Sequence, residues 1–178
     1  MKALRTIRLD SSDTFVFENA AQPGEWAVSG AFLFASTDPS SLKAKARAAF
    51  RSGFLGIHSL GWSTLVRIVE ATETERARAV DVLAHHLAER FGAPNVAMAR
   101  AAAEQEIDFA VSLTDHPSGM LVAVARTIEG GSIRERFRSL RPAANKPTSA
   151  YAFLQASGED EEPMEEVDLI SLARRVYR

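Results

Sequence analysis

The sequence predicts a two-layer α+β fold, a mostly antiparallel sheet with a helical hairpin and a C-terminal helix packed on it. Three observations carry that prediction. Short apolar and aromatic runs fill the N-terminal third, two helical stripes flank Gly92-Ala93-Pro94, and two extended runs flank Gly130-Gly131. Strands grouped before and after a helix pair, instead of alternating with helices, favour antiparallel pairing.

In chain order, residues 4–9, 14–17 and 26–35 read as strands, with Pro23-Gly24 as a turn before the third. In that third run Trp26, Val28, Phe32 and Phe34 fall on one face, and Ala27, Ser29, Ala31 and Leu33 on the other. A helix is predicted after Asp38-Pro39, because Leu42, Ala46, Ala49 and Phe50 have helical spacing and Gly53 stands at a C-cap position. Residues 62–70 have apolar side chains at both parities (Val66 and Ile68, Leu65 and Val69), the pattern of an interior strand expected to be central. Thr72 and Glu75 form a capping box for a helix whose stripe is Val80, Leu83, Ala84, Leu87 and Phe91. A second helix runs from about residue 95 to 113 and ends before His116-Pro117.

Gly130-Gly131 predicts a tight hairpin with Ile128 opposite Ile133, Arg126 opposite Glu135 and Val124 opposite Phe137. Residues 142–147 read as loop, 151–154 as a short edge strand, and 158–166 as an acidic stretch without a base. Acids at the start and Arg174, Arg175 and Arg178 at the end of the terminal stripe Leu169, Leu172, Ala173 and Val176 predict a closing helix. The expected organisation is one domain over 1–147, a loop and acidic segment over 148–166, and a helix over 167–178 that packs back.

Composition narrows the function classes. A chain of 178 residues buries enough surface to need no disulfide or metal staple. Cys 0 excludes thiolate-ligated zinc, iron-sulfur clusters and thiol nucleophiles. A formal charge of -2 argues against bulk coating of nucleic acid. No apolar run is long enough to span a bilayer, and the first ten residues lack a signal-peptide core, so a cytoplasmic setting is expected. His85 and Glu89 have metal-sharing spacing but no third ligand in view, so neither a metal nor a cofactor is expected.

Two features bear on chemistry. Glu106 falls within the apolar arc of the second helix, among Ala102, Ala103, Ile107, Phe109 and Ala110. A carboxylate there needs a cation or a proton, and Arg67 on the interior strand is the cation expected to reach it. The functional version is a raised-pKa acid/base in an apolar pocket, with Arg67, His58 or His116 beside it; the bland version is a structural ion pair. Second, a strand over Ile133-Arg-Glu-Arg-Phe-Arg projects Arg134, Arg136 and Arg138 from one face, opposite the small residues Thr127, Ala125 and Ala123. Such a row suits carboxylates or phosphates. Residues 157–168 carry Glu159, Asp160, Glu161, Glu162, Glu165, Glu166 and Asp168 and no base. Either that acidic run screens the arginine face or both are solvated. Nucleic acid is disfavoured as the partner, because the arginine strand offers only Phe137, on the other face.

Residues 5–32, 45–66 and 126–142, beginning RTIRLDSSD, KARAAFRSG and RTIEGGSIR, together resemble a small family of uncharacterised bacterial proteins. The resemblance brings no activity and no site residues. It implies an accessory role beside the assembly of molybdenum-dependent formate-oxidising enzymes. The expected function is therefore a non-enzymatic accessory or interaction protein whose basic sheet face contacts an acidic protein partner or an anionic small ligand. A homodimer is compatible with that role. The alternative is a small enzyme or ligand-binding protein built around Glu106.

Overall fold

The computed structural model describes residues 1–8, 13–142 and 155–156. In chain order the strands are β1 (Lys2–Thr6), β2 (Ala27–Val28), β3 (Phe54–Gly56), β4 (Trp62–Ser63), β5 (Leu65–Glu70), β6 (Leu121–Glu129), β7 (Ser132–Arg141) and β8 (Gln155–Ala156). The helices are α1 (Asp13–Val16), α2 (Ala44–Ser52), α3 (Glu73–Arg90) and α4 (Val96–Ser112). A five-stranded sheet has the order β1-β5-β6-β7-β8 and a three-stranded sheet the order β2-β3-β4, every pair antiparallel. A bridge between Arg5 and Trp26 ties β1 to the start of β2. The class is α+β.

The helical hairpin forms as its caps dictate. Thr72 accepts from the Glu75 amide while Glu75 reaches back to the Thr72 amide, and Asn95 caps α4 by accepting from the Met98 amide at 2.9 Å. Between the helices Gly92 takes a φ of 71°, the left-handed conformation a side chain resists. Arg76 pairs with Asp108, and Arg100 with Asp81 at 2.6 Å, across the two helices. Exposed pairs of this kind add little to stability. Most of the hairpin's hold comes from Val80, Leu83, Ala103 and Ile107, buried with Leu4, Val66, Ile68 and Val122 of the sheet in one core.

The β6–β7 ladder has the register expected from the Gly-Gly turn: Ile128 faces Ile133, Arg126 faces Glu135 and Val124 faces Phe137. Gly130 and Gly131 both have positive φ, 59° and 79°, as a primed two-residue turn requires. The interior strand is also present, although it divides into β4 and β5 at Thr64. β5 lies between β1 and β6, one place from the sheet's edge strand instead of in its middle.

The N-terminal third departs from expectation. Residues 14–17 are not a strand: Asp13–Val16 makes a single helical turn that buries Phe17 and leaves Phe15 75% exposed. With no neighbouring strand among the described residues to satisfy its backbone, the segment satisfies its own bonds locally. The strand expected over 26–35 stops after Val28, because Gly30 turns left-handed (φ 75°) and Ala31–Phe34 coils into a 3-10 helix. A Cβ at Gly30 would stand 2.8 Å from the Leu55 Cβ and 3.0 Å from the Trp62 ring, so the turn and the close approach need the same glycine. α2 begins at Ala44 instead of after Pro39, since Asp38 spends its carboxylate on the Ser40 amide and hydroxyl in a preceding 3-10 turn. The edge strand expected over 151–154 and the closing helix over 167–178 lie outside the described residues. Pairing on β7 is seen at Gln155–Ala156.

One buried carboxylate organises a loop. Glu25, 7% exposed, accepts from the Gln22 amide at 2.6 Å and from the His58 and Ser59 amides at 2.8 Å each. Glu25→Gln replaces one accepting oxygen with a donor that none of these amides can use. We expect it to cost about 1 kcal/mol and to speed hydrogen exchange at the His58 and Ser59 amides. Unaltered exchange there would show that the carboxylate does not hold the loop.

Candidate functional site

The five-stranded sheet has two different faces. Residues directly opposite in an antiparallel ladder share a face, so Arg134, Arg136 and Arg138 stand with their partners Thr127, Ala125 and Ala123. All three arginines are exposed. Arg134 lies 4.0 Å from Glu129, a loose pair at the hairpin end. The arginines' cross-strand partners Thr127, Ala125 and Ala123 are all short side chains.

Arg67 belongs to that face as well. It lies opposite Leu121, and Leu121 is two residues from Ala123, the partner of Arg138. Its side chain is exposed on β5, while Val66 and Ile68 on either side of it are buried. Arg67 is therefore not the cation of Glu106, contrary to expectation. The two residues lie on opposite sides of the sheet.

Behind the arginine row, on the inner face, Arg126 performs the task expected of Arg67. Its side chain is 0% exposed. Nε donates to Glu135 at 2.7 Å, and Nη1 donates to the carbonyls of Phe50 at 3.0 Å and Gly53 at 2.7 Å. Nη2 donates to the Ser29 carbonyl, and Ser29 Oγ donates to the same Glu135 oxygen. The guanidinium thus closes the C-terminal end of α2, where carbonyls lack partners in their own helix. Burial pulls the Arg126 pKa down and the Glu135 bond opposes that shift. Alternation placed Arg126 inward from the start: Val122 and Val124 precede it at the same parity. Its Glu135 partner was readable from the hairpin register, but α2 and Ser29 come from far away in the chain.

Glu106 faces this cluster from α4, where Phe109 also meets Phe137 with ring centroids 5.7 Å apart. Burial, with the nearby Glu135 adding to it and Arg126 acting the other way, pushes the Glu106 pKa up to about 7. No hydrogen bond to its carboxyl is present among the described residues. Two cavities run along α2. One of about 270 Å³ is lined by Leu33, Phe34, Ala49 and Trp62 with Glu18 and Lys45, and one of about 560 Å³ shares Glu18 and Lys45. Glu106 lines neither.

The remaining candidates are scattered. His58 is exposed in the loop held by Glu25 and adjoins His86 of α3. His116 is exposed between α4 and β6, its carbonyl accepting from Lys2 Nζ at 2.8 Å. Neither is among the charged groups acting on Glu106. Among the described residues no group of histidine and acidic side chains is placed to hold a metal ion, and no helix is long and apolar enough to cross a membrane.

Fold and site together define an α+β protein with a cationic strand face backed by a buried Arg-Glu-Glu cluster. Residues 1–154 match the Family of unknown function (DUF6505), and the chain belongs to that family. No match was found among curated proteins or among solved structures.

Proposed function

We propose that this protein is a non-enzymatic accessory protein that contacts an acidic protein partner through the outer face of β6 and β7. The observation that carries the reading is the exposure of Arg134, Arg136 and Arg138 from one strand above Thr127, Ala125 and Ala123. Guanidinium groups at alternate positions repeat at about 7 Å, a spacing that an extended acidic segment can follow with alternate carboxylates. Arg67 widens the same face. Glu106 has the proton affinity of a general acid near neutrality, but it adjoins the buried ion pair and not either α2 cavity, so catalysis is left out of the reading.

The setting is taken as cytoplasmic. The resemblance to proteins that accompany molybdenum-dependent formate-oxidising enzymes suggests an acidic component of such an enzyme as the partner. The test uses a fluorescein-labelled oligoglutamate peptide and its anisotropy at low salt. The wild-type protein should bind it in a salt-sensitive manner, and the R134Q/R136Q/R138Q variant about tenfold more weakly. R78Q, on the exposed side of α3, is the control and should bind as the wild type does. Equal binding by the triple variant would remove the surface as the contact. In cells, the triple variant at normal abundance should lower formate oxidation, and undiminished oxidation would separate the surface from that enzyme.

A further inference from the structure

We propose that the two adjoining cavities along α2 form a binding site for a small planar aromatic acid, its ring lying against Trp62 and Phe34 and its anionic group at Lys45 and Lys43. None of the lining residues belongs to β6 or β7, so the site is separate from the arginine face. Phe17, Phe34, Ala49 and Phe50 make a second, small core, and Leu33 and Trp62 pack against it half-buried. Protein cores ordinarily close to crystal density, yet Leu33, Phe34, Ala49 and Trp62 face an opening of about 270 Å³. An apolar cavity of about 150 Å³ takes a benzene ring. This opening therefore has room for a second, fused ring.

Trp62 is held as a fixed wall. A Cβ at Gly53 would stand 2.7 Å from its Cε3, and one at Gly30 would stand 3.0 Å from its Cζ3, so two glycines seat the benzo edge of the indole. The Phe34 ring lies 5.4 Å away, tilted by 34°. The indole Nε1–H makes no hydrogen bond among the described residues and is open to solvent. An aromatic surface immobilised in this way takes a flat ring at little entropic cost, because no rotamer has to be frozen on binding.

Charge selects the rest of the ligand. Glu18, Lys45 and Ala46 line both cavities, and Lys43 lines the larger one of about 560 Å³. Neither lysine has an ion-pair partner among the described residues, and the first turn of α2 holds no acid. Two lysines against one glutamate leave the lining at 2 - 1 = +1, which a single carboxylate on the ligand neutralises.

The test uses naphthoate as the probe and the two tryptophans as reporters. With Trp 2 in the chain, the nitrogen–proton NMR spectrum holds two indole peaks, and Trp62→Phe identifies which is which. Naphthoate should move the Trp62 peak saturably and leave that of Trp26, buried in the main core, in place. Naphthamide, with the same rings and no charge, should bind about fivefold more weakly. Lys45→Gln should weaken naphthoate by about fivefold and leave naphthamide unchanged, while Ala46→Leu, which fills the junction of the cavities, should abolish both. R134Q/R136Q/R138Q should bind naphthoate as the wild type does. Loss of binding in that variant would put the ligand on the arginines and overturn the site. An unmoved Trp62 peak, equal affinity for acid and amide, or naphthoate binding indifferent to Lys45→Gln would each overturn it as well.

Discussion

Replacing Arg126 with methionine should lower the unfolding free energy by about 3–5 kcal/mol, read by urea denaturation at pH 7. Methionine fills much of the stem's volume, so packing is mostly kept and polar loss dominates. Glu135, with its side chain 17% exposed, would lose the cation at 2.7 Å that offsets its desolvation. The carbonyls of Phe50 and Gly53 would lose the donor that closes α2. A carboxylate left without its partner is costlier than a pair removed whole. The double variant Arg126→Met with Glu135→Gln should therefore be more stable than the sum of the single changes by about 1 kcal/mol or more. A cost for Arg126→Met near that of a surface arginine, within about 0.5 kcal/mol, would show that the cluster does not hold the inner face.

Glu106 should make the protein lose stability as the solution is made alkaline. Its pKa in the fold is about 7, above the ordinary 4.5, with burial as the main cause and the nearby Glu135 adding to it. Between these values the folded protein keeps a proton that the unfolded chain has released. Stability from this group is thus fully present below about pH 4.5 and is lost as pH rises through about 7. Discounted for its partial exposure, the loss should come to about 2 kcal/mol. Glu106→Gln removes the titration. It should match the wild type near pH 5, exceed it by about 2 kcal/mol near pH 8, and flatten that part of the stability profile. A parallel profile for both proteins would mean that Glu106 is solvated in the fold. Arg126 and Glu135 are the charged groups facing it, so Arg126→Met should move the wild-type titration to still higher pH.

Legibility varied along the chain according to whether the interactions were local. The α3 capping box and the Gly130-Gly131 hairpin are each complete within a few residues, and both formed in the expected register. The anomaly of Glu106 was visible from helical spacing alone, because a carboxylate within an apolar arc must meet low dielectric wherever the helix packs. Its partner was not visible. Arg67 was expected because its strand is apolar at both parities, and the face that Arg67 occupies depends on which strands pair and how the sheet lies against α4. The segment from Trp26 to Ala35 failed for a related reason. Its alternation was sound, but Gly30 packs against Leu55 and Trp62, residues far along the chain, and the close approach turns the backbone.

By itself the sequence determined the α+β class, the helical hairpin, and the emergence of Arg134, Arg136 and Arg138 together from one strand, since each follows from periodicity and short-range turn chemistry. Only the tertiary structure decided that Arg126, donated from β6, gathers Glu135, Ser29 and the end of α2 into one buried knot with Glu106 beside it. Such a knot joins groups separated by up to 106 residues, and desolvation makes them partners only once the layers have closed.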